Sequence, residues 1–363
     1  MKILILHDYL TVFGGAEQVL LSLLEVFPSA QIYTSTLWKD ALPQNFVDIL
    51  NNHSYKESFL KFLPKRKSLI PFYRKIAFLS FLFLDLDDFD IIIANTSGPA
   101  TWCIRHKSKA KLIAYYHKIP SFSFFPTKNI LKLLLHKLDS FFIKRFDVVI
   151  TNSKFNQSNF RKVFDINAQV VYPVVQLEQN AIPTKKEDFF LFVGRLEKYK
   201  GITEIVQSCI DKGKKLIVVG KGSLMPKNDS TTSSKKTLPI HELIEYRGFV
   251  SEKEKFELFR KAKAFITAGG DREEFGITAL ESIFCLTPVI AHKRGGVVEL
   301  VREFDGKSGN AFLFDQMTVQ DISNTIEKFE SNREIITNNF HLLDHNLFSH
   351  ATFQTNLLKI IKL

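Results

Sequence analysis

Short apolar runs rich in Ile, Val, Leu and Phe alternate along this chain with longer stretches in which apolar residues recur every third or fourth position. The runs read as strands buried on both faces and the stretches as amphipathic helices. Alternation of the two predicts α/β architecture with parallel sheets. In the first half the strands fall at Lys2–His7, Gln31–Ser35, Asp90–Asn95, Lys111–His117, Asp147–Asn152 and Gln169–Tyr172. A polar, proline-bearing stretch, 173–188, reads as a linker. A second series follows at Phe189–Val193, Lys215–Val219, Ile244–Tyr246, Ala264–Thr267, Pro288–Ala291 and Ala311–Phe314. Ser251 and Glu254 have the spacing of a capping box that opens a helix ending near Lys263. Lys227–Thr237 is polar and low in complexity, a surface loop. The expected fold is two Rossmann-like lobes, 1–172 and 189–344, with an interdomain cleft and with the helix 345–363 returning to complete the first lobe. Ligands of such sheets sit at the carboxyl ends of the strands, so the strand-to-helix loops are where chemistry belongs.

Composition narrows the class. At 363 residues, 45% of them apolar, the chain is long enough for two domains with large cores. Cys103, Cys209 and Cys285 lie far apart without ligand-like spacing, which fits a reducing compartment and argues against disulfides and zinc. Ile3–Leu6 reads as a strand rather than a signal-peptide core. The longest apolar run, Ile76–Leu84, is nine residues and too short to span a bilayer. The expected location is therefore cytoplasmic. Net charge is +11 and uneven: residues 1–178 carry 22 Lys+Arg against 14 Asp+Glu (+8), the remainder 27 against 24 (+3). A basic first half suggests an anionic surface. Its cations cluster at Lys56, Lys61, Lys65, Arg66, Lys67, Arg74 and Lys75, beside the apolar run, which fits a peripheral membrane face; a core helix flanked by solvated lysines is the plainer alternative.

Four loops carry candidate chemistry. The first strand ends at His7-Asp8-Tyr9, and Gly14-Gly15 then opens a helix; paired glycines let the backbone approach a phosphate closely. After Phe189–Val193 come Arg195 and Lys200, bracketed by Gly194 and Gly201, two cations suited to a diphosphate. His117 ends the strand that begins at Lys111. Glu273 and Glu281 stand eight residues apart around Phe275-Gly276-Ile277, so one carboxylate lies at a helix mouth and one inside the helix. The mouth between them offers N–H groups and a partial positive charge to a phosphate.

The series HDYL…GGAEQVL, AYYH, TNSKF, VGRLEKYKG, GFVSEKEK, EEFGITALESI, PVIA and GGVVELV resembles the retaining glycosyltransferases of family 4, with the two-lobed GT-B fold. The opening is most similar to bacterial polysaccharide and O-antigen members, many of them mannosyltransferases that use GDP-mannose. The resemblance implies that Arg195 and Lys200 hold the diphosphate and stabilise the leaving nucleotide. It implies that Glu281 binds the ribose hydroxyls, and that Glu273, with the backbone of Phe275, Gly276 and Ile277, holds the donor sugar and distal phosphate. Gly14 and Gly15 would approach that phosphate from the other lobe, and His117 would contact the donor sugar. Asp8 and Tyr9 would face the acceptor, a glycan or lipid-linked saccharide, and Gly248-Phe249-Val250 would line the base. No cofactor or metal is expected beyond the GDP- or UDP-linked donor. Two positions depart from the pattern: Leu286 stands where a glycine commonly ends the glutamate helix, and the Gly220–Ser223 turn carries Lys221 in place of an acid.

Three rivals remain. Asp85-Leu86-Asp87 matches the metal-binding triplet of the other glycosyltransferase fold, but it precedes a strand, the wrong end for a ligand. Gly220-Lys221-Gly222 is a partial dinucleotide fingerprint whose third glycine is replaced by Met225, so a nicotinamide-dependent oxidoreductase is the fold-level competitor. Charge alone would suit a nucleic-acid-binding protein, yet no RNP, zinc or basic-helix motif accompanies it, and no nucleic-acid partner is expected.

Overall fold

The structure is a computed structural model that describes residues 1–64, 69–82, 84–103, 109–120, 130–175, 185–226, 237–270 and 273–362. The chain forms two compact units, Met1–Val174 with His345–Leu363, and Val175–Asp344. Lys65, Arg66 and Lys67 of the basic cluster lie outside the described residues, as do most of the linker and of the polar loop.

The first unit is a parallel sheet of seven strands: β1 Ile3–His7, β2 Gln31–Thr34, β3 Tyr55–Glu57, β4 Ile91–Thr96, β5 Lys111–Tyr116, β6 Val148–Thr151 and β7 Gln169–Val170, in the order β3-β2-β1-β4-β5-β6-β7. β1, β4 and β5 are buried along nearly their whole length, which is why they read as unbroken apolar runs. β3 has no such signature: it is a three-residue edge strand, Tyr-Lys-Glu, with only one neighbour. The helix His350–Ile361 packs Phe353, Leu357 and Ile361 into the core of this unit, and Lys111 donates to the Ile361 carbonyl.

The second unit is a parallel sheet of six strands: β8 Phe190–Val193, β9 Leu216–Val219, β10 Ile244–Gly248, β11 Ala264–Thr267, β12 Val289–His292 and β13 Ala311–Phe314, in the order β10-β9-β8-β11-β12-β13. Lys263, just before β11, is almost fully buried and bonds Asp188 at 2.5 Å and Glu330 at 2.7 Å. Of the capping box only one half forms. Ser251 Oγ accepts from the Glu254 N–H at 3.2 Å, while the Glu254 carboxylate turns away to Arg247.

In both sheets the chain winds outward from a central strand, then returns to its other side. The winding reverses between β1 and β4 in one unit and between β8 and β11 in the other. At such a reversal the two following loops diverge and leave an opening at the carboxyl ends of the strands. His7 ends β1 and Asp8 follows it, Ser97 follows β4, Gly194 and Arg195 follow β8, and Ala268 and Gly269 follow β11.

Candidate functional site

In the second unit, the loop after β8 tightens into a single turn, Lys198–Lys200, ended by Gly201 at φ 63°. A side chain at Gly201 would be strained by that φ and would place its Cβ 2.5 Å from the Ala268 Cβ, so glycine is required twice over. The tight turn sets Lys200 beside the loop after β11, where its ammonium pairs with Glu273. Arg195 is exposed and lies 5.6 Å from the centre of the Tyr199 ring, with the Lys200 ammonium 5.8 Å from the same ring. Two cations and one carboxylate are thereby gathered at the reversal point.

Glu273 lies in the loop, and the helix itself runs Ile277–Phe284, capped by Gly276. Phe275 is buried, and Ile277 is half-buried at the first helical position, where N–H groups have no partner inside the helix. One turn further in stands Glu281, 4% exposed. Its Oε1 accepts from Lys255 Nζ at 2.9 Å, but Oε2 is buried and has no hydrogen-bond partner among the described residues. Burial pushes the Glu281 carboxyl up from its usual value, and the Lys255 ammonium opposes that. A buried acceptor without a donor is costly, on the order of 1–3 kcal/mol, unless something else supplies the donor. A ligand hydroxyl is the right chemistry. Lys255 escaped the sequence reading because it looks like a solvated partner of Glu252, with which it also bonds at 2.8 Å. Val250 packs, partly buried, against the core of the second unit, and the adjacent Phe249 is exposed with the Lys221 ammonium 5.2 Å from its ring centre.

The first unit gathers a different set. Gly14 is the N-cap of the helix Gly15–Val26, with Glu17 in the first turn. Asp8, expected to face the acceptor, is buried and braces the fold. It is 5% exposed and accepts from Thr96 Oγ1 at 2.6 Å, Ser97 N at 2.6 Å and Ala100 N at 2.9 Å. These contacts tie the end of β4 and the loop after it to the residue that follows β1. Burial pushes its carboxyl up against the pull of those donors. Tyr9 beside it is half-buried. His117 directly follows β5, is 9% exposed, and meets Asn95 Oδ1 through Nε2 at 2.6 Å. Burial, with His7 nearby, pulls the His117 imidazole down to about 3, so it is neutral at physiological pH.

The surroundings of the rival motifs account for them without a ligand. Asp85 accepts from the Asp87 N–H at 3.0 Å in an exposed turn, and among the described residues no group of three His, Cys, Asp or Glu could hold a metal ion. A Cβ at Gly220 would strike the Gly194 carbonyl and one at Gly222 the Leu196 backbone. Those glycines let two loops of the protein touch, a sufficient reason for them without a dinucleotide.

Residues 13–179 match the family model described as Glycosyltransferase Family 4, and residues 176–340 the one described as Glycosyl transferases group 1. Together they make this chain a glycosyltransferase of family 4 type. Among characterised relatives, the human alpha-1,3/1,6-mannosyltransferase ALG2 is 23% identical over 292 residues, 71% of this chain and 69% of that protein. The Anabaena protein Alr3699/HepE, solved in complex with UDP-glucose, superposes with a TM-score of 0.70 at 19% identity, covering 100% of this chain and 99% of that one. The sucrose-phosphate synthase of Thermosynechococcus elongatus follows with a TM-score of 0.68 at 15% identity, over 100% and 98%. At these identities the structural likeness establishes the fold, two parallel-sheet α/β domains of GT-B type.

Proposed function

We propose that this enzyme transfers a hexosyl group, with retention of anomeric configuration and without a metal, from a nucleotide sugar to a glycan or lipid-linked acceptor. The observation that carries the reading is the half-satisfied Glu281: a buried carboxylate with one oxygen on Lys255 and the other awaiting a hydroxyl donor. Arg195 and Lys200 would neutralise the diphosphate, and Glu273 would exchange part of its contact with Lys200 for the sugar. With these cations and the helix mouth stabilising the leaving diphosphate, its own oxygen can take the acceptor proton on the same face, which retains configuration.

Mannose from GDP-mannose is the donor we favour, on the strength of the human mannosyltransferase relative. The UDP-glucose held by the Anabaena protein makes UDP-glucose the alternative to test. A thermal-shift panel of GDP-, UDP- and ADP-sugars decides, since a ligand of the native state raises its apparent stability. The expected result is a shift with GDP-mannose of several degrees; a shift with UDP-glucose alone would replace the donor, and a shift with NADH alone would overturn the class.

No described helix is long and apolar enough to cross a membrane. Exposed Phe59, Phe62, Leu63 and Phe72, close in sequence to exposed Lys56, Lys61 and Lys75, support docking on the anionic cytoplasmic face of a membrane, near a lipid-linked acceptor. Flotation with liposomes that contain or lack anionic lipid tests this, and equal binding to both would refute it.

A further inference from the structure

At the carboxyl end of the first sheet, one backbone carbonyl settles where the protons lie on two buried histidines. Asn95 Nδ2 is 2.9 Å from the Ala16 carbonyl oxygen. A carbonyl can only accept, so that atom must be the amide nitrogen and Asn95 Oδ1 must point the other way. Oδ1 lies 2.6 Å from His117 Nε2, and an amide oxygen also only accepts, so His117 carries its proton on Nε2. The second Nδ2 hydrogen of Asn95 is directed at His7 Nδ1, 2.9 Å away, which must therefore be the accepting nitrogen. The His7 proton is left on Nε2, where it meets Glu17 Oε1 at 3.3 Å. Donation runs one way through four buried side chains, from His117 to Asn95 to His7 to the Glu17 carboxylate. Reversing any one step would set acceptor against acceptor or donor against donor among buried groups, which is costly.

The far nitrogen of His117 is the consequence. Its Nδ1 holds a lone pair and has no hydrogen-bond partner among the described residues. The charged groups nearest this chain, Asp8 and Glu17, are themselves bonded to the protein, Asp8 through the loop after β4 and Glu17 through His7.

We propose that Glu17, His7 and Asn95 are positioning residues that lock His117 in its Nε2-protonated form, so that Nδ1 is a fixed acceptor for a ligand hydroxyl. The identity of that hydroxyl, one on the transferred sugar, rests on the glycosyltransferase reading; the locked tautomer does not. Removing an outer partner that fixes an imidazole's tautomer in metal sites lowers activity by about 10–100-fold, and the same logic holds for a histidine that binds sugar.

The test is a long-range proton–nitrogen correlation on the full chain labelled with nitrogen-15 histidine, with the His117 signals assigned by their loss in His117→Gln. The expected pattern has a protonated ε2 and an unprotonated δ1 nitrogen, without any donor present. A protonated δ1, or a pair averaged between forms, overturns the proposal, whether or not the chain turns over a nucleotide sugar. In Asn95→Leu the two His117 signals are expected to collapse toward an averaged pair, and kcat to fall about tenfold with the KM for the donor within about twofold. An unchanged His117 pattern in a folded Asn95→Leu would show that the chain does not set the tautomer. Should that variant fail to fold, the pattern of the unmodified protein decides alone.

Discussion

The two reversal points are built on the same topology and filled with opposite chemistry. At β1 and β4 the polar side chains are buried and bonded mostly to the protein: Asp8 takes one donor from the end of β4 and two from the loop after it, and His117, Asn95, His7 and Glu17 form a chain that leaves His117 Nδ1 open among the described residues. At β8 and β11 they are partly open and incompletely satisfied. Lys200 and Glu273 pair while partly buried, Arg195 is exposed, and one oxygen of Glu281 has no partner among the described residues. The first arrangement suits a rigid wall that orients a reactant. The second suits a ligand that completes it, because each group there gains a partner on binding. If this contrast is right, removing the Asp8 brace at the first point acts on folding, substitutions at the second act on turnover, and only the chain that ends at His117 lets the first point reach the rate.

The largest effect is expected at Asp8. Asp8→Ala leaves the Thr96 hydroxyl and the N–H groups of Ser97 and Ala100 without their acceptor in a buried place. Orphaning three donors should lower stability by about 3 kcal/mol or more. A denaturant midpoint measures it. A loss below about 1 kcal/mol, with activity abolished, would return Asp8 to the acceptor and break the comparison from that side.

At the other point Glu281→Ala and Lys200→Ala should each lower turnover by at least about 100-fold, close to 2.7 kcal/mol in the barrier, with the fold retained. Circular dichroism and nucleotide-release kinetics on the same samples check both halves of the statement. Near-normal rates in either variant would remove that residue from the site.

Between these lies Asp139, buried in the first unit, where it accepts from Trp102 Nε1 at 3.2 Å and from the Tyr116 hydroxyl at 3.4 Å. Burial pushes its carboxyl up to about 6 from 3.8. The folded chain therefore holds this proton more tightly than the unfolded chain, and the contribution to stability falls as pH rises from about 4 to about 6. Asp139→Asn should accordingly be stabilising at pH 7, by roughly 1–3 kcal/mol, and close to neutral at pH 4. The Tyr116 hydroxyl can turn to accept from the new amide. Equal effects at both pH values would mean that the carboxyl is not held up by its burial.

Legibility in the sequence followed burial. β4 and β9 were readable because strands covered on both faces are unbroken apolar runs, Ile-Ile-Ile and Leu-Ile-Val-Val. β3 was not, since an edge strand needs no such run. Spacing placed Glu281 inside a helix and Lys200 at a loop end, because both depend on neighbours in the chain. The bracing by Asp8 and the role of Lys255 depend on residues some ninety and twenty-six positions away, and no local pattern announces those contacts.

The smallest expected effect concerns Leu286, where a family glycine is replaced. The turn has kept the left-handed conformation with the larger residue in place, at φ 54°. Leu286 N–H bonds the Ile283 carbonyl, and Thr287 N–H bonds that of Ser282, so the helix carrying Glu281 ends in the same hydrogen-bonded turn that a glycine would make. A β-carbon in that region costs about 1 kcal/mol, and glycine there costs a few tenths more in unfolded-chain freedom. Leu286→Gly should therefore stabilise the protein by somewhat under about 1 kcal/mol, provided the half-buried Leu286 side chain contributes little packing. Turnover should not change, because the helix is already held in register by its own carbonyls. A destabilised variant with a slower reaction would mean that the leucine side chain, rather than the turn, sets the depth of Glu281, and the second reversal point would then be as tightly built as the first.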